Sequence, residues 1–102
     1  MGLRIATVRG PSMVPALRDG DRVLVRLGAG TPRVGRVVLV ELPDRPLSVK
    51  RLVAIEPDGS LRVEGDNPFG STDSRQLGAI PRGALGGTVL ARLWPHPRVF
   101  RS

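Results

Sequence analysis

The sequence predicts an all-β fold: a small, partly open barrel or coiled antiparallel sheet, with residues 1–102 as a single domain. Three observations predict it. Short Val-rich runs recur along the whole chain, turn residues separate them, and 13 Gly with 10 Pro in 102 residues argue against long helices. A chain of this length builds one modest core. Its only aromatics are Phe69, Trp94 and Phe100, so that core is made mainly from Val, Leu, Ile and Ala.

The elements follow in order. "RIATV" (Arg4 to Val8), "RVLVR" (Arg22 to Arg26) and "RVVLVEL" (Arg36 to Leu42) read as strands. So do "LSVKRLVAI" (Leu47 to Ile55), "LRVEG" (Leu61 to Gly65) and "GTVLARLW" (Gly87 to Trp94). β-branched residues and period-two alternation are the warrant. The separators carry turn chemistry: "RDGD" at 18–21, "LPDRP" at 42–46 and "EPDGS" at 56–60. The "PDG" between two strands predicts a hairpin joining the Lys50 strand to the Leu61 strand. Residues 65–87, "GDNPFGSTDSRQLGAIPRGALGG", are long, polar and without strand periodicity. A loop longer than about 12–15 residues is uncommon in a compact domain and is often functional.

Composition excludes several function classes. The chain has no Cys, hence no disulfide, thiol nucleophile or thiolate metal site, and a single His leaves almost no ligands for structural zinc. Apolar runs such as "VVLV" at 37–40 fall far short of the roughly 20 residues of a membrane span. No charged-then-apolar leader opens the chain. These features give the expectation of a soluble, cytoplasmic protein without a membrane anchor, needing neither metal nor organic cofactor. The net charge of +7 raises a nucleic-acid reading, but the arginines are scattered and aromatics for base stacking are scarce. A solvated Arg-rich surface is expected, with no nucleic-acid partner.

One basic residue stands apart. Lys50 is the only lysine; every other position among the 16 basic residues is arginine. Lysine can lose its proton in a protein, whereas arginine effectively cannot. On its strand Lys50 shares a face with Ser48 and Leu52, where burial favours the neutral amine. Bringing a lysine pKa from about 10.4 to about 7 costs roughly 4 kcal/mol, so the fold must place such a group deliberately. A candidate nucleophile lies in "RGPSMVPALRDGDRVLVR", where Gly10 and Pro11 constrain the loop carrying Ser12. His96, in "WPHPR", is the alternative base, but no acidic residue follows it to orient the ring.

The blocks "GPSMVPALRDGDRVLV", "VGRVVLVELP", "SVKRLVAI", "LRVEGDNPFGSTDSRQLG" and "GTVLARLWP" occur in that order from Arg9 to Pro95. Together they resemble type I signal peptidases, most closely the small mitochondrial-inner-membrane-peptidase-like branch. Within it the chain is similar to the short nickel-type superoxide dismutase maturation proteases. The resemblance implies a signal-peptidase-like fold and a Ser–Lys dyad. Ser12 matches the nucleophile, Lys50 the general base and Ser71 the serine that orients the lysine. The Ser12 N–H matches an oxyanion donor. Gly10 stands where many relatives carry a serine whose hydroxyl helps bind the oxyanion, leaving the second donor unassigned. Arg51, Asp66, Asp73 and Arg75 match a structural charge network holding the long loop against the Lys50 strand. The implied substrate is a precursor protein, the leader of nickel superoxide dismutase. Ala16 and Arg36 depart from the usual Thr and Asp without touching the dyad. Other readings stay open: a general signal-peptidase-like or repressor-type Ser–Lys peptidase, and a non-catalytic basic β module that binds peptides.

Overall fold

The computed structural model describes residues 2–28, 30, 33–45 and 47–100. Pro46, at the end of the predicted 42–46 turn, lies outside them. Seven strands form among the described residues: β1 (Leu3–Thr7), β2 (Arg22–Leu27), β3 (Val37–Val40), β4 (Ser48–Ile55), β5 (Leu61–Glu64), β6 (Leu85–Trp94) and β7 (Arg98–Val99). Every pairing is antiparallel. The sheet runs β1-β2-β6-β3-β4-β5, with β7 paired to β6, and remains open. The all-β expectation holds, and each of the six predicted strands is present within a few residues of its expected bounds.

Local chemistry accounts for the pieces. The "EPDGS" turn closes the β4–β5 hairpin: Glu56 N–H donates to Ser60 C=O, and Gly59 N–H returns to Glu56 C=O. Register shifts interrupt β2 against β6, β3 against β6 and β4 against β5. Such bulges sharpen strand twist, which coils the sheet. Within residues 65–87, Asp73 caps the four-residue helix α1 (Ser74–Leu77), and a 3₁₀ turn at Arg82–Ala84 leads into β6. The cap is reciprocal: Asp73 accepts from Arg75 N–H, while Gln76 Oε1 accepts from Asp73 N–H at 2.9 Å. This Asp-x-x-Gln arrangement satisfies donors that a helix start otherwise leaves orphaned.

The core has two parts. Val8, Met13, Leu17, Val23, Val25, Val37, Leu39 and Val89 form one cluster. Val38, Val40, Leu42, Leu52, Leu61, Val63, Ile80 and Leu85 form the other. Alternation along β3 sends Val37 and Leu39 to the first and Val38 and Val40 to the second. All four are buried, which is why that strand is apolar throughout instead of alternating with polar residues.

Candidate active site

Lys50 sits on β4, a strand paired on both edges, with Val38 of β3 opposite it. Only 4% of its surface is exposed. Burial pushes its pKa below the ordinary value of 10.5; the Asp73 charge acts in the other direction, and Arg45 and Arg75 add to the lowering. The net direction favours a neutral amine, which is the form a base needs.

Behind the lysine runs a short relay. Lys50 Nζ donates to Ser71 Oγ at 2.8 Å, and the Ser71 hydroxyl donates to Asp73 Oδ2 at 2.6 Å. Having spent its one proton on the carboxylate, Ser71 presents lone pairs to Lys50 and fixes the ammonium or amine by accepting from it. Asp73 is fully buried. Burial alone works against its charged form, but hydrogen bonds from the Arg75 and Ser71 side chains and from the Gly65 and Arg75 N–H groups outweigh it. They hold the carboxyl well below the usual carboxylate range. Arg75 forks onto it, Nε to Oδ1 at 3.1 Å and Nη2 to Oδ2 at 2.7 Å, and also donates to Gly65 C=O at 3.0 Å.

The Ser12 loop is held from below and from the side. Met13 is wholly buried in the first core cluster. Val14 N–H bonds Pro11 C=O and Leu17 N–H bonds Met13 C=O, making a tight turn around the serine. Gly10 adopts φ +80°, a left-handed conformation that side chains disfavour, and its N–H donates to Asp19 Oδ1 at 2.8 Å. From the polar 65–73 segment, Asn67 takes hold of the loop twice. Its N–H bonds Ser12 C=O at 2.9 Å and its Nδ2 bonds Pro11 C=O at 3.1 Å. Gly65 makes this approach possible, because a Cβ there would collide with the Ser71 hydroxyl and lie 2.5 Å from the Ser12 carbonyl oxygen.

Ser12, Lys50 and Ser71 therefore line one cleft of about 660 Å³, bounded by β1, the start of β4 and Phe69 to Thr72. Within it Lys50 Nζ is turned toward Ser71, and among the described residues Ser12 Oγ makes no direct hydrogen bond with it. The Ser12 N–H is likewise uncommitted among the described residues. The four charged residues grouped in the sequence divide into two pairs. Asp73 and Arg75 stand behind Ser71, whereas Arg51 and Asp66 form a separate fork, Nε to Oδ1 at 3.1 Å and Nη2 to Oδ2 at 2.7 Å, with Arg51 also on Gly35 C=O. His96 lies in the β6–β7 turn and is not part of the cleft. Asn67 and Gly65 are site residues that the sequence alone does not single out; their block "GDNP" enters only as part of a longer pattern. Another hollow, of about 730 Å³, includes Leu42, Pro43 and Ile80 but neither serine nor lysine. Among the described residues no group of three or more His, Cys, Asp or Glu is placed to hold a metal ion.

Comparison with known proteins names a peptidase family. Residues 2–77, which contain Ser12, Lys50, Ser71 and Asp73, match the family model described as Peptidase S24-like. The chain belongs to that peptidase family. It is 34% identical to the mitochondrial ATP-independent inner membrane protease subunit 1a of Arabidopsis thaliana, over 93% of this chain and 72% of that protein. It is 33% identical to mitochondrial inner membrane protease subunit 1 of Mus musculus (84% and 66% covered). Against subunit 2 from Schizosaccharomyces pombe the identity is 31% (95% and 68%). These relatives correct the expectation of a cytoplasmic protein, since all three are named for an inner membrane. The expectation rested on finding no long apolar run. Among the described residues no helix is long and apolar enough to cross a membrane, but that excludes only a helical span and does not assign a compartment.

Proposed function

We propose that this chain is a serine endopeptidase of the Ser–Lys type, acting as one catalytic unit that removes the N-terminal leader of a precursor protein. The observation that carries the reading is the buried Lys50 amine, lowered in pKa, 2.8 Å from the Ser71 hydroxyl and in the same cleft as Ser12. In the proposed mechanism neutral Lys50 Nζ takes the Ser12 hydroxyl proton as Oγ attacks the scissile carbonyl. The Ser12 N–H stabilises the oxyanion. Collapse of the tetrahedral intermediate expels the amine, which receives its proton from the Lys50 ammonium. Lys50 then activates water to hydrolyse the acyl-enzyme. Ser71, held by Asp73, keeps the amine aimed; a positioned base contributes roughly 10²–10⁴ in rate.

Sequence resemblance favours nickel superoxide dismutase as the precursor, and the named relatives favour action at a membrane. The test is mass spectrometry of that precursor, with a general peptide mixture alongside, after incubation with wild type, Ser12→Ala and Lys50→Arg. Cleavage by wild type alone is the expected result. Equal cleavage by Lys50→Arg rejects the lysine base, and no cleavage of either substrate by any of the three folded forms returns the chain to the basic-module reading. Cleavage of the mixture but not of the precursor keeps the peptidase and discards the substrate.

A further inference from the structure

The cleft around Ser12 has an uneven charge. Arg4, Arg9 and Arg45 all line it, together with Lys50, and no Asp or Glu does. The three arginines are solvent-exposed, and none of them enters an ion pair among the described residues. Elsewhere in the fold, Arg51, Arg62, Arg75 and Arg92 are paired with carboxylates. The nearest buried carboxylate, Asp73, is occupied by Arg75 and Ser71. Three guanidinium groups thus surround the place where a peptide must lie, with their donors unspent. A guanidinium presents a planar fork that matches a carboxylate in two parallel hydrogen bonds. A cleft lined by one sign of charge also concentrates oppositely charged substrates.

We infer that the cleft selects precursor segments carrying aspartate or glutamate within a few residues of the cut bond, read by Arg4, Arg9 and Arg45. This rests on the peptidase reading above and names the substrate chemistry it would prefer. The cleft wall also carries the apolar side chains of Ile5, Leu47, Val49 and the 98% exposed Phe69, so the acidic residues are expected beside apolar ones. Exposed pairs of this kind are individually modest, about fivefold in affinity at best, and are screened by salt.

A synthetic peptide library, randomised around its centre and cut by wild type with Ser12→Ala as the blank, tests the inference by mass spectrometry. Asp and Glu are expected to be enriched up to about fivefold over Asn and Gln at one or more positions near the cut. The enrichment should flatten in about 1 M salt, where screening shortens to about 3 Å. It should fall in Arg4→Gln and Arg9→Gln, read as the ratio of Asp and Glu to Asn and Gln within each variant's own products. Cutting without acidic enrichment, or with enrichment that ignores both salt and the variants, overturns the inference and leaves the peptidase standing. No cutting by wild type above the blank overturns both.

Discussion

Two aspartate–arginine forks in this protein are nearly superposable as chemistry and differ in what surrounds them. Arg51 meets Asp66 and Arg75 meets Asp73 with the same two distances, 3.1 Å through Nε and 2.7 Å through Nη2. Asp66 keeps 22% of its side chain in solvent and Arg51 keeps 31%. Asp73 keeps none, and it also accepts from Ser71 and from the Gly65 and Arg75 N–H groups. A partly exposed fork is a fastener, worth about 1 kcal/mol, because water still reaches both ions. A buried carboxylate with every lone pair engaged sets the electrostatics of whatever lies next to it. Here that neighbour is the hydroxyl that holds Lys50. Identical pair geometry therefore does different jobs, and burial decides which.

The sharpest way to break the comparison is to neutralise each aspartate in turn. Asp73→Asn should lower stability by about 2–4 kcal/mol, through a lost buried charge-assisted network, and cut peptidase turnover about a hundredfold. Denaturant melts and cleavage rates read the two effects separately. Gly65→Ala should be comparably severe for turnover, since the added methyl group wedges Ser71 from the Ser12 carbonyl; a mild phenotype there means the loop moves freely and the close approach is not required. Ser71→Ala comes next. It removes one hydroxyl without leaving a large cavity, so stability should change by about 1 kcal/mol while the pH at which activity appears shifts measurably. Asp66→Asn should be the mildest, about 1 kcal/mol or less, with the pH profile of cleavage unmoved. Equal effects from Asp66→Asn and Asp73→Asn would erase the distinction drawn between the two forks.

pH provides a second handle, and the signs follow from the shifts. Lys50 has a folded pKa below 10.5, so its protonated form weakens the fold, and that cost is relieved as pH rises from the lowered value toward 10.5. Activity should rise as pH passes through that lowered folded value, where the neutral base forms. Asp73 has a folded pKa far below its ordinary value, so its stabilisation is complete above about 3.9 and is lost as pH falls further. Acid should therefore abolish turnover well before it unfolds the chain, and a pH series following cleavage and circular dichroism together checks that order.

Much of this was legible in the sequence because it is local. Val-rich alternation marked six strands, and "EPDGS" marked the hairpin, since each depends on a handful of neighbouring residues. The lone lysine and the constrained serine could be singled out by chemistry alone. What sequence could not give was non-local. The insertion of β6 between β2 and β3 joins segments about 45 to 72 residues apart and leaves no local mark. The two-residue β7 is too short for periodicity to register. Helix α1 lay inside a stretch read as a loop, although Asp73 and Gln76 three apart form a capping signature that was available. The division of the charged residues into two pairs required knowing which of them are buried. Asn67 as a double clamp required knowing that its loop crosses over Pro11 and Ser12.

The shared strand β3 has a consequence for how a peptidase of this size comes into being. The proposed nucleophile is tethered through its neighbour Met13 to one core cluster, and the proposed base through Leu52, on its own strand face, to the other. β3 is the partition wall between them, with alternate residues in each. A chain that has completed only one half owns a serine or a lysine but no pair. For the proposed dyad, the architecture itself guards a newly made chain against premature cutting: serine and lysine share a cleft only once both halves have closed on the same wall.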